Sequence, residues 1–157
     1  MRFLKLLVVQ LATLIAVPAI AQDKPASNME ILREKLKADK KLVVATNMQL
    51  TQNEAPGFWP IYDAYQADLD KLNGRLGQLI KRYAEAYRTD TLTNDKAKSL
   101  LDEMLQIEEA EVALKRAYVP KLSAVLSPVK VARYLQIENK IRAAVRYELA
   151  GDIPLAR

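Results

Sequence analysis

Residues 58–83 read FWPIYDAYQADLDKLNGRLGQLIKRY, and their apolar spacing decides the fold. Phe58, Tyr62, Tyr65, Leu69, Leu72, Leu76, Leu79 and Tyr83 follow one another in steps of four and three without a slip. That period suits a long helix lying nearly antiparallel to another. A strand, whose side chains alternate at every second residue, cannot use it. Just upstream, Leu50-Thr51-Gln52-Asn53-Glu54 carries the start signal. Thr51 and Glu54 form a capping box, in which each side chain satisfies a backbone N–H of the other residue, and Leu50 packs back on the first turn. Pro56 falls near the tolerated first turn, whereas Pro60 removes an internal hydrogen bond and predicts a kink. Gly74 and Gly77 each cost about 1 kcal/mol relative to alanine inside a helix, which predicts that another element approaches closely there.

Three more helices flank this one. The first is expected from Met29 to about Thr46, capped by Ser27 or Asn28, with Met29, Leu32, Leu36 and Val43 on one side and Arg33, Lys37, Lys40 and Lys41 on the other. After a turn over Arg88–Thr91, Leu92-Thr93 starts a helix from Asn94 to about Val125. Its face is Leu100, Met104, Ile107, Leu114, Tyr118 and Val125, interrupted by Glu111 and Lys121, and Pro120 predicts a second kink. For Glu111, on the apolar stripe, pairing across the hairpin with Arg75 or Lys71 is the alternative to a solvated position. Leu126-Ser127-Pro128 starts the last helix, with proline at a position where its missing donor costs nothing. Tyr134, Ile137, Ile141, Ala144 and Glu148 form its stripe, with Val131, Leu135 and Val145 beside it. Gly151 is the expected stop after Ala150, and Pro154 prevents a restart. Leu50, Leu92 and Leu126 thus each precede a hydroxyl cap, with Ala55, Ala97 and Val131 as hydrophobic-staple partners. The expected fold is all-α: an elongated four-helix protein, its second and third helices forming a long antiparallel hairpin bent where the prolines lie side by side.

The N-terminus reads as a cleavable secretory signal over residues 1–21. Arg2 and Lys5 supply the positive region, Leu6–Val17 the apolar core, and Ala19-Ile20-Ala21 the small residues before the cleavage point. The apolar run falls short of the roughly 20 residues that span a bilayer. Residues 22–28 form a loose leader, 29–150 a single domain and 151–157 a tail. Removing Arg2 and Lys5 lowers the 24 basic residues to 22 against 19 acidic, too weak an excess to mark a nucleic-acid binder. There is no cysteine, so packing alone must hold an exported fold.

The absence of histidine and cysteine removes the commonest bases, nucleophiles and transition-metal ligands together, which argues against an enzyme and leaves no catalytic residue, metal site or cofactor to assign. Glu108, Glu109 and Glu111 are the one dense acidic cluster; they read as a solvated helix face, loose binding of a hard cation being the alternative. Phe58, Tyr62 and Tyr65 belong to the seam and to the core, whereas Trp59 sits one position off it, in an exposed or dimer-facing role. Arg33, Lys37, Lys40 and Lys41 are a solvated face or the charged rim of a binding surface.

The helix starts carry a resemblance. Leu50-Thr51-Gln52-Asn53-Glu54 and Leu126-Ser127-Pro128-Val129-Lys130 are similar to the paired Leu-Thr-x-x-Gln motifs of the Spy/CpxP family of small exported helical proteins, with Glu54 and Lys130 in place of the closing glutamines and Ser127 in place of threonine. The resemblance implies an ATP-independent periplasmic chaperone or envelope-stress adaptor, built as an antiparallel homodimer. Such a protein would hold partly unfolded envelope proteins on a surface mixing basic and apolar groups, for which Arg33, Lys37, Lys40, Lys41 and Trp59 are the candidates. A long hairpin also leaves apolar surface for a second copy to cover. The rival reading is a structural protein that docks on one membrane-protein partner and has no client activity.

Overall fold

The computed structural model describes residues 39–156. The expected signal peptide and leader, and the part of the expected first helix up to residue 38, with Arg33 and Lys37, lie outside the described residues. Four helices account for most of what is described, and no strand occurs among those residues: α1 ends at Met48 and is described over 39–48, followed by α2 (Ala55–Arg88), α3 (Asn94–Ser123) and α4 (Pro128–Asp152). The protein is all-α and elongated: the 34 residues of α2 span about 51 Å at 1.5 Å per residue.

Side-chain pairs fix the directions. Lys40 meets Gln66 and Lys41 meets Asp63, so α1 runs antiparallel to α2. Tyr118 meets Asp68 while Arg82 meets Glu103, so α3 runs back along α2. Lys115 meets Asn139 and Glu108 meets Arg146, so α4 reverses again. Consecutive helices therefore alternate, and α2 and α4 run parallel. No Cα of α4 lies within 8 Å of one in α2; aromatic rings span the gap. Tyr134 of α4 meets Phe58, Tyr62 and Tyr65 of α2 with centroids 5.3 to 6.1 Å apart, mostly edge to face.

The core sits at the end where α2 and α4 begin. Val44 and Met48 of α1, Phe58, Tyr62, Tyr65 and Leu69 of α2, Tyr118 and Leu122 of α3, and Leu126, Val131 and Tyr134 form one buried cluster. Along the α2 seam, Leu79 is also buried, whereas Leu72, Leu76 and Tyr83 are only half-buried. Tyr65 against Tyr118 and Gly57 against Val125 place Pro60 and Pro120 at one level of the hairpin.

Several local expectations are corrected. A Cβ on Gly74 or Gly77 would meet nothing within 4 Å; the close approach is at Gly57, where it would lie 2.9 Å from Val125 Cγ1. Gly151 does not stop α4, because its backbone keeps a negative φ and the helix continues to Asp152. The Ile153 N–H still bonds to the Leu149 carbonyl, and Pro154, with no N–H, ends the run. The turn after α2 closes as a Schellman motif, with Thr91 N–H bonding to the Ala86 carbonyl and Asp90 N–H to that of Tyr87. Asp90 takes the left-handed position usually given to glycine, at φ 53°. The expected stripe of α4 holds only in its first half: Val131, Tyr134 and Glu138 are buried, but Ala144, Val145 and Glu148 are exposed. Past Arg142 the helix contacts α3 through charge, by Arg146 to Glu108 and Glu111, so its apolar side is not needed against the bundle.

Candidate functional site

The two motifs that start α2 and α4 meet in space. The capping box forms: Thr51 N–H donates to Glu54 Oε2 at 2.8 Å, and Glu54 N–H reaches back to Thr51 Oγ1 at 3.3 Å. Thr51 to Glu54 make a turn ahead of the helix proper, which places Pro56 in the first turn. Glu54 then takes a partner from the other motif, since Lys130 Nζ pairs with its carboxylate and also donates to the Gln49 carbonyl at 3.1 Å. The Lys130 ammonium beside it, with the Thr51 N–H, holds the Glu54 carboxyl at about 2, down from 4.5. Leu126 and Val131, the staple pair of the second motif, are both in the core, and Leu50 packs against it. Ser127 caps α4 through the Lys130 N–H at 3.4 Å. Thr93 caps α3 through the Lys96 N–H at 3.3 Å, while Leu92 is half-buried at the opposite end of the hairpin.

The candidate basic face of α1 is engaged within the bundle where it is described. Lys40 Nζ lies 2.8 Å from Glu138, which is buried, and donates to Gln66 at 2.7 Å. Gln66 in turn donates to Glu138 at 2.9 Å and to the Tyr134 hydroxyl at 3.2 Å. Lys41 pairs with Asp63 at 2.8 Å and stands over the rings of Trp59 and Tyr62. Trp59 is half-buried, edge-on to Phe58 and Tyr62. Burial, with the Glu138 charge, pushes the Tyr65 hydroxyl up to about 12 and those of Tyr62 and Tyr134 higher still. These hydroxyls stay protonated at neutral pH, and that of Tyr134 accepts from Gln66.

Glu111 interrupts the α3 stripe as expected but pairs differently. It is buried, and its partners are Lys115 one turn along (2.9 Å), Arg142, and Arg146 at 3.2 Å, all on α3 or α4 and none on α2. Burial lowers the affinity of Lys115 and Arg142 for their protons. The second intruder, Lys121, is exposed, its ammonium 4.1 Å from the centroid of the Tyr118 ring. Among the described residues, no three His, Cys, Asp or Glu side chains converge as a metal site, and no helix is long and apolar enough to cross a membrane.

A mixed surface that the sequence reading missed lies on the outer side of α4. Val129, Arg133, Gln136, Lys140 and Tyr147 recur at helical spacing, opposite buried Val131 and Glu138. Val129 is 72 % exposed and Tyr147 80 %. The two cations lie between them along the helix, and no carboxylate shares the stripe. The signal was the spacing of 129, 133, 140 and 147, hidden because Val129 reads as part of a helix start. No family model, curated protein or solved structure matches this chain. Fold and surface together define its class as an elongated all-α protein with alternating helix directions.

Proposed function

We propose that this chain is an exported, non-catalytic chaperone or envelope-stress adaptor that holds partly unfolded proteins in the periplasm without ATP. The observation that carries the reading is the outer stripe of α4, where exposed Val129 and Tyr147 bracket Arg133 and Lys140. Apolar groups of this kind hold client surface reversibly, and the cations speed encounter with acidic chains. The export signal supports the same reading. So does the pairing of Glu54 with Lys130, because the two positions that depart from the family's closing glutamines compensate each other by direct contact.

The test is light scattering of an aggregating test protein with the purified chain at equal molar ratio. Aggregation should be suppressed, and the double substitution Val129→Ser with Tyr147→Ser should weaken suppression several-fold without changing the helical content. Suppression absent at every salt concentration would overturn the proposal. A second reading, a docking module without client activity, is favoured by one observation, an apolar stripe along α3 ordered in heptads. Cross-linking in cells separates the two: many weak partners fit a chaperone, and one dominant partner fits a docking module.

A further inference from the structure

α4 is held to the bundle in two different ways along its length. Its first half is fixed by packing, with Val131, Tyr134 and Glu138 buried. From 143 to 148 every residue is exposed, and beyond them only Leu149 and Ile153 are half-buried. The helix has not turned another face to the core. Val145 comes eleven residues after Tyr134 and seven after Glu138, which places it between them on one side of the helix, yet it is 53 % exposed. The side that meets the core in the first half is left to solvent in the second.

Polar contacts close that second half. Arg146 reaches Glu111 at 3.2 Å and Glu108 at 3.7 Å, and the Tyr83 hydroxyl donates to the Pro154 carbonyl at 2.7 Å. Of the three cations on Glu111, Arg146 is the most open to solvent: its side chain is 49 % exposed, against 25 % for Lys115 and 20 % for Arg142. The helix itself adds little. The stretch 143–152 is shorter than the roughly 12–15 residues an isolated helix needs in water. Gly151, a weak helix former, stands in the last turn. Asp152 puts a negative charge at the negative end of the helix dipole, and no basic residue in that turn offsets it.

We infer that residues 143–156 form an arm that opens as a unit while 128–138 stays packed, and that Arg146 is its clasp, which an acidic peptide chain opens by drawing the guanidinium away from Glu108 and Glu111. A half-exposed guanidinium can exchange these carboxylates for others at little cost. Lys115 and Arg142 stay on Glu111 when Arg146 leaves, so no buried charge is left unpaired. Opening uncovers Leu149 and Ile153. It also frees Tyr147 to move relative to Val129, the apolar residue at the fixed end of the outer stripe. The clasp does not depend on client binding, whereas the use of the arm to fit that stripe to a client rests on the function proposed above.

Amide hydrogen exchange of the purified chain, resolved residue by residue, tests this. In the parent protein the amides of 147–153 should exchange at least roughly tenfold faster than those of 132–141. Arg146→Gln should speed exchange in the arm about fivefold more, with the rates at 132–141 and the urea midpoint unchanged. Lys140→Gln, which removes an exposed cation from the same helix, should leave the arm as it is. A hexaglutamate peptide should open the arm of the parent beyond the effect of sodium chloride at equal ionic strength, and should add nothing in Arg146→Gln, whose clasp is already gone. An arm as protected as 132–141, exchange unmoved by Arg146→Gln or moved equally by Lys140→Gln, or an equal response of parent and Arg146→Gln to the peptide would each overturn the inference. Light scattering of an aggregating test protein reads out the chaperone proposal separately: an arm that opens as described in a chain without client activity upholds the clasp and overturns that proposal alone.

Discussion

Replacing glycine by alanine should act in opposite directions at two places on α2. At Gly57 the new methyl would lie 2.9 Å from Val125 Cγ1 and 3.2 Å from its Cβ, against an ordinary carbon contact of about 3.5–4.0 Å. Because the Cβ itself is close, turning the stiff valine side chain does not clear the overlap, and the junction of α2 with the end of α3 must open. Overpacking of this kind costs about 1–3 kcal/mol. The helix-propensity gain of at most about 1 kcal/mol offsets only part of it, the more so because Gly57 is in the first turn. Gly57→Ala should therefore lose about 1–2 kcal/mol, lowering Tm by roughly 5 °C. At Gly77, where a Cβ meets nothing within 4 Å, the same substitution should gain up to about 1 kcal/mol. Val125→Ala removes the nearer atom, so the double variant with Gly57→Ala should cost about 1 kcal/mol less than the sum of the singles. Urea and thermal unfolding followed by circular dichroism at 222 nm provide the measurement. If Gly57→Ala stabilises the protein as Gly77→Ala does, or the double variant is additive, the Gly57–Val125 contact does not shape the hairpin.

Two further outcomes follow from the charged groups. Glu54 is held at about 2 in the fold against 4.5 ordinarily, so the unfolded chain takes up its proton first as pH falls. Its contribution is fully present above 4.5 and disappears as pH drops toward 2; Glu54→Gln should flatten the acid limb of a stability–pH curve in that window, and an unchanged limb would remove the Glu54–Lys130 pair from the account. Glu111→Gln leaves Arg142 and Lys115 without their buried counter-charge and should cost about 2–4 kcal/mol, read as a lower urea midpoint with the m-value unchanged.

What the sequence made legible was periodic or local. The four-three spacing from Phe58 to Tyr83 needs no partner to be read, and neither does the Thr51–Glu54 box, whose atoms lie one turn apart. What stayed hidden depends on which helix faces which. Glu111 was readable as a polar group on an apolar stripe, but only the turn of α4 across α3 brings Arg142 and Arg146 to it rather than Arg75 or Lys71. The hairpin register decides which glycine is crowded: Gly57 meets Val125, whereas Gly74 and Gly77, which looked like contact points, meet nothing. The second half of α4 departs from its stripe because a helix can be held by ions at one edge and leave its apolar residues to solvent. On α3 the same freedom leaves Leu105, Val112 and Val119 outside.

The three leucine–hydroxyl starts are alike in sequence, and topology separates them. When successive helices alternate in direction, helices two apart run parallel and begin at the same end of the bundle. The starts of α2 and α4 therefore meet, whereas the start of α3 lies at the other end. At the shared end, Glu54 and Lys130 turn two local caps into one clamp, directly above the rings of Phe58 and Tyr134 at the centre of the core. Thr93, with no such neighbour, caps its own helix. An acidic residue closing one motif and a basic residue closing the other is thus a matched choice, because either charge alone would stand at the edge of the most apolar part of the molecule without its counter-ion. Exchanging the two, Glu54→Lys with Lys130→Glu, keeps the pair but gives up the carboxylate that Thr51 needs for its capping box. The asymmetry of the motifs is fixed at position 54, where the Thr51 N–H donates to a carboxylate and would find no acceptor on an ammonium.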